Sequence, residues 1–91
     1  MKQVPWNRRI YDEFLKIAIL TDFEKEVFRT RILCGMTITQ QSYYLHCSKS
    51  SIDRAIRKIK EKYDEVQPLS DILPKRRMSE KEKYMDEKME H

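Results

Sequence analysis

Six basic side chains crowd into residues 48–63, namely Lys49, Arg54, Arg57, Lys58, Lys60 and Lys62, against only Asp53 and Glu61. The surplus of four equals the net charge of the entire chain, +4, so the positive charge is concentrated on one element. Such a concentration is the electrostatic footprint of a phosphate-binding surface. Arginine adds a second kind of chemistry. The guanidinium forks of Arg54 and Arg57 match guanine O6 and N7 for bidentate contact, although arginine more often binds phosphate without reading sequence. Asp53 has two readings: it accepts from cytosine N4, or it pairs with Arg57 four residues on and orients it. The second is favoured, because a lone carboxylate facing phosphates is repelled.

Other chemistries have little support. Cys34 and Cys47 cannot complete a tetrahedral metal site, and His46 and His91 do not fall at ligand spacing, so the sequence predicts no metal, no disulfide and two small buried hydrophobes. Neither histidine stands near a nucleophile, a carboxylate pair or a glycine-rich phosphate loop, so neither an enzyme nor a cofactor is expected. Tyr43 and Tyr44 could stack on bases, but at this spacing they read as half-buried packing residues, as does Trp6.

The elements that must position these residues are helical. One glycine and three prolines among 91 residues are too few for a turn-rich β fold, and the chain suits one small all-α domain. No apolar run approaches a membrane span, and residues 1–20 carry no secretory pattern, so a cytoplasmic protein is expected. Pro5 is placed to open a first helix carrying Trp6, Ile10, Phe14 and Ile17 and running to about Leu20. Thr21 and Glu24 form a capping box for a second, whose Phe23, Val27, Phe28, Ile32 and Leu33 suggest burial on more than one side, with Gly35 as its C-cap. Thr37 or Thr39 caps a short third helix bearing Ile38, Ser42 and Leu45. Ser48 caps a fourth, in which Ile52, Ala55, Ile56, Ile59 and Tyr63 make one apolar stripe.

Winding that fourth helix at about 100° per residue sets Ser50, Arg54, Arg57 and Glu61 opposite the stripe, with Ser51, Asp53 and Lys58 on its flanks. A short helix, a turn at His46, Cys47 and Ser48, and a longer helix with a basic outer face is the helix-turn-helix arrangement, here over residues 37–62. The helical domain is read as residues 1–66. Beyond it, Pro68 and Pro74 bracket Leu69, Ile72 and Leu73 in a linker that either packs back on the domain or self-associates into a homodimer. Residues 75–91 hold six basic and five acidic side chains, with a cap at Ser79 and Glu82 for a weak helix bearing Met78, Met85 and Met89.

Residues 20–63 resemble, without a gap, the promoter-reading fourth region of bacterial sigma factors, and more distantly the output domains of response regulators. The resemblance runs through Leu20, Thr21, Glu24, Glu26, Val27, Phe28, Arg31, Gly35, Thr37, Leu45, Ser48, Ser51, Ile52 and Ile56. It implies recognition of double-stranded DNA, with Lys49, Ser50, Ser51, Asp53, Arg54 and Arg57 facing the major groove and Thr37 beside a phosphate. Gln41 departs from it where an aliphatic residue is usual, and His46 where glycine is common. Nothing resembles the promoter-melting segment, so a stand-alone relative, of the kind found among phage regulators, is expected. Two alternatives stand beside this: an interaction module for RNA polymerase or a sigma factor that uses the same fold without reading bases, and a DNA-packaging or recombination accessory protein.

Overall fold

The computed structural model describes residues 4–76, and the helix expected from Ser79, Glu82, Met78, Met85 and Met89 lies outside them. Four α-helices follow in order: α1 Arg8–Ile17, α2 Asp22–Ile32, α3 Ile38–Tyr44 and α4 Lys49–Val66, with a 3₁₀ turn at Gln67–Leu69. The all-α reading holds. No helix among the described residues is long and apolar enough to cross a membrane.

Each helix start is set by a side chain that satisfies orphan backbone N–H groups. Asn7, not Pro5, opens α1: its carboxamide oxygen accepts from the Ile10 N–H at 2.9 Å, and asparagine is a stronger N-cap than the Pro5 signal suggested. The helix then ends at Ile17 rather than Leu20, because Ala18 is extended. The Thr21 and Glu24 capping box of α2 is present in both directions, at 3.1 and 2.9 Å. For α3 the cap is Thr37. Gln40, three residues on, returns the second bond of a capping box, which Ser42 is too short to give Thr39. Ser48 caps α4 through the Ser51 N–H at 3.1 Å. Gly35 takes the left-handed conformation expected of it, φ +65°, and the Met36 N–H turns back to the Thr30 carbonyl.

The α4 stripe is buried at all five positions. It meets an aromatic cluster centred on Phe28, whose ring lies 5.0 Å from Trp6, 4.9 Å from Tyr11 and 5.1 Å from Phe14. Burial on α2 extends over more than one side, as the sequence suggests, but through other residues: Val27, Phe28 and Thr30 are fully buried, whereas Phe23 and Leu33 are exposed. The second inward position goes instead to polar residues. Gln41 of α3 is fully buried, and its Nε2 donates to the Val27 carbonyl at 2.9 Å and to Thr30 Oγ1 at 3.0 Å.

Long-range contacts hold the C-terminal half of α4. Lys62 Nζ donates to Glu24 Oε1 at 2.6 Å, joining α4 to the start of α2. Beyond α4, residues 67–76 pack back on the domain. Leu73 is buried, Gln67 donates to its carbonyl, the Tyr63 hydroxyl donates to the Pro74 carbonyl, Ser70 reaches Glu13 and Arg76 pairs with Asp64 at 2.8 Å. Leu73 and, in part, Ile72 therefore belong to the core of a single chain and are not left over for self-association. Burial also pushes the Tyr63 hydroxyl up to about 12.

Ending the chain before Pro68 should consequently destabilise the domain. Loss of Leu73 burial costs about 1.5–3 kcal/mol, and each lost hydrogen bond about 0.5–1.5 kcal/mol. Urea titration checks this, and an unchanged midpoint would refute the packing role. Acid should act through Glu24. Its burial raises the carboxyl pKa, but the bonds from Lys62 and Thr21 outweigh that and hold it below the ordinary value of 4.5. The contribution is complete above pH 4.5 and is lost as pH falls through the lower folded value. Thermal melts of wild type and Glu24→Gln should thus converge on acidification below that range.

Candidate nucleic-acid interface

The turn between α3 and α4 is built by local bonds. Leu45 N–H returns to Gln41, Cys47 N–H to Ser42, and His46 between them has φ +54°. A left-handed residue is what lets a short helix stop and the chain re-aim within a few residues, and glycine meets that demand with least strain. Histidine at this position carries the strain of a β-carbon. The next residues fix the direction of α4, since Ser48 Oγ bonds both the N–H and the hydroxyl of Ser51.

From that start α4 presents the side chains singled out in the sequence. Lys49, Ser50, Arg54, Arg57 and Lys58 are exposed, and Ser51 and Asp53 are half-buried on the flanks. Asp53 Oδ2 accepts from Arg57 at 3.1 Å, the favoured intrahelical pairing. Lys58 lies 3.7 Å from Glu61. Ser51, bonded to its cap, is a weaker candidate for base contact than Ser50. Lys62 points inward to Glu24, so the cationic face is narrower than the count of six basic residues implied. Lys49 and Arg54 have no acidic partner among the described residues. Thr37 is not on this helix; it lines a separate surface recess with Arg31, Thr39, Trp6 and Ile38.

Tyr43 and Tyr44 are exposed, 78% and 53%, rather than half-buried as their spacing suggested. The reason is the polar anchor opposite them: with Gln41 bonded inward to α2, Tyr43 two residues on must point away. Cys34 is likewise exposed, and Cys47 is only partly buried; both are free thiols. Arg29 donates to Glu26 at 2.8 Å, and that bond holds the Glu26 carboxyl below its ordinary range and the guanidinium above its own. Among the described residues no three His, Cys, Asp or Glu side chains group as for a metal ion.

A further feature was present in the sequence but is recognisable only once the helices are placed. Between Glu26 and Asp53 there is no carboxylate side chain. That span forms the end of α2, all of α3, the turn and the first turn of α4. Sorting charges by sign, rather than counting net charge in a window, would have found it. Comparison of the chain with protein-family models, with curated proteins and with solved structures gives no match.

The strain at His46 yields a direct expectation. His46→Gly should raise stability by about 0.5–1 kcal/mol, the left-handed penalty less the extra unfolded-state entropy of glycine. His46→Ala, which keeps a β-carbon, should give no such gain. Equal melting temperatures for the two variants would show that the turn stores no strain.

Proposed function

We propose that this chain binds double-stranded DNA in a sequence-specific manner as a small transcription regulator, using α3, the turn and α4 as a helix-turn-helix with the first turns of α4 in the major groove. The observation that carries the proposal is the exposure of Lys49, Arg54, Arg57 and Lys58 together on the outer face of α4, whose first turn has no carboxylate. A polyanion approaching the start of α4 meets Lys49, Arg54 and serine hydroxyls; of the nearby carboxylates, Asp53 is paired with Arg57, and Glu24, in a recess with Ser51 and Arg54, is buried and bonded to Lys62. The resemblance of residues 20–63 to the promoter-reading region of sigma factors supports the same reading.

In that role the residues divide. Arg54 and Arg57 read base edges, with Asp53 holding the fork of Arg57 in one orientation so that less freedom is lost on contact. Lys49 and Lys58 contact phosphates on either side of the groove, and Ser50 donates a hydroxyl to the base floor. Thr37, at the start of α3, meets the backbone. Each neutralised phosphate contributes about 0.9 to the slope of log affinity against log salt.

Selection of bound duplexes from a random pool tests the proposal, and it should enrich one short motif. Replacing Arg54 and Arg57 together by Ala should then remove the preference for that motif, at about 1–3 kcal/mol for each lost base contact. Helicity and melting temperature should stay nearly unchanged, because both side chains are exposed. Recovery of the same motif by the double variant would overturn the assignment of α4, and failure of the wild type to enrich any duplex would overturn the function.

A further inference from the structure

Residues 32–48 contain no Asp, Glu, Lys or Arg, in a chain of which 37% is charged. The structure folds them into the end of α2, the whole of α3 and the turn. From this stretch project three large exposed apolar or aromatic side chains, Leu33, Tyr43 and Tyr44. The other exposed ones, Ile19, Phe23 and Leu69, lie outside residues 32–48. Arg29 lies at the edge of this stretch, its guanidinium 3.8 Å from Cys34 Sγ and close to Tyr44, while Glu26 meets its charge. The result is an uncharged, tyrosine-bearing stretch on an otherwise charged molecule.

We infer that this face docks a second copy of the chain. Two molecules of net charge +4 repel, and a contact through an uncharged surface adds no like charge to that repulsion. The α3 face meets that condition with itself, as an isologous two-fold interface requires, and depletion of charged residues with enrichment of tyrosine marks the centre of protein interfaces. A partner attracted by charge would go instead to the basic side of α4.

The use of such a dimer in recognition rests on the DNA reading above. One helix-turn-helix covers only a few base pairs, and two copies are needed for a specific site. Helices packed in the order α4, α3, α3 of the second copy, α4 of the second copy, at about 8–10 Å per step, set the two α4 helices roughly 25–30 Å apart. Large tyrosines at the central step widen that figure toward the roughly 34 Å between successive major-groove faces.

Light scattering on the full chain at its highest soluble concentration tests the inference without DNA. Wild type should have twice the chain mass of 11.1 kDa. Tyr43→Glu combined with Tyr44→Glu should halve that mass while keeping the helical circular dichroism and melting curve, whereas Ile19→Glu combined with Leu69→Glu should leave it unchanged. If the tyrosine variant fails to fold, Leu33→Glu replaces it. A wild type of single-chain mass, or a dimer indifferent to Tyr43, Tyr44 and Leu33, overturns the interface. The Arg54 and Arg57 double variant should remain dimeric, so loss of DNA binding and loss of the interface are separately measurable.

Discussion

The apolar stripe of α4 is the constraint on which the other elements depend. Helices α1, α2 and α3 and the 3₁₀ turn all contact α4, and Ile52, Ile59 and Tyr63 within the stripe are completely buried. Each such side chain contributes about 1.5–3 kcal/mol, against a conformational entropy that opposes the fold along its whole length. Because the stripe uses one side of α4 only, the opposite side is left outward along the full helix. Core and candidate interface are therefore two faces of one element, and a rotation of α4 that exposed Ile56 would at the same time bury Arg54.

Position along and around α4 is fixed by polar contacts more than by apolar ones. A smooth hydrophobic stripe tolerates sliding, whereas the Lys62 to Glu24 bond and the Tyr63 to Pro74 bond each have one geometry. Gln41 does the same for α3. Its Nε2 is fully engaged, but its Oε1 is buried without a hydrogen-bond partner, a cost of about 1–3 kcal/mol that an aliphatic residue would not carry. What the carboxamide supplies in return is directionality: donation to both the Val27 carbonyl and Thr30 Oγ1 sets the rotation of α3, and hence which of its side chains face outward.

Much of this was legible in the sequence because it is local. The caps at Thr21 and Ser48, the left-handed Gly35, the five-residue stripe and the Asp53 to Arg57 pair all depend on spacings of four residues or fewer, repeated along one helix. At the start of α1 two local signals stand side by side, and the Asn7 cap, not Pro5, sets the first turn. The misreadings at Phe23, Leu33, Cys34, Tyr43 and Tyr44 share another cause: residue type announces a preference for burial, but whether a partner surface exists is decided by contacts far away in sequence. Lys62 illustrates the same limit for charge. Its partner is Glu24, 38 residues earlier, so no local reading could have removed it from the cationic face.

Charge sorting along the chain links the two proposals and gives them opposite responses to salt. The carboxylates lie at and before Glu26 and from Asp53 onward, and within that gap residues 32–48 lack cations as well. Helix α3 is thus neutral ground between the basic start of α4 on one side and open solvent on the other. In the proposed complex its inner flank supports the phosphate-facing helix and its outer face meets a second copy. Raising salt screens the contacts of Lys49 and Lys58 with phosphate and weakens them. The same salt relieves repulsion between two +4 chains and leaves a contact made of tyrosine and leucine intact. A dimer that persists while DNA dissociates is the behaviour expected of a chain that keeps its assembly face and its polyanion face on neighbouring helices with their charges kept apart.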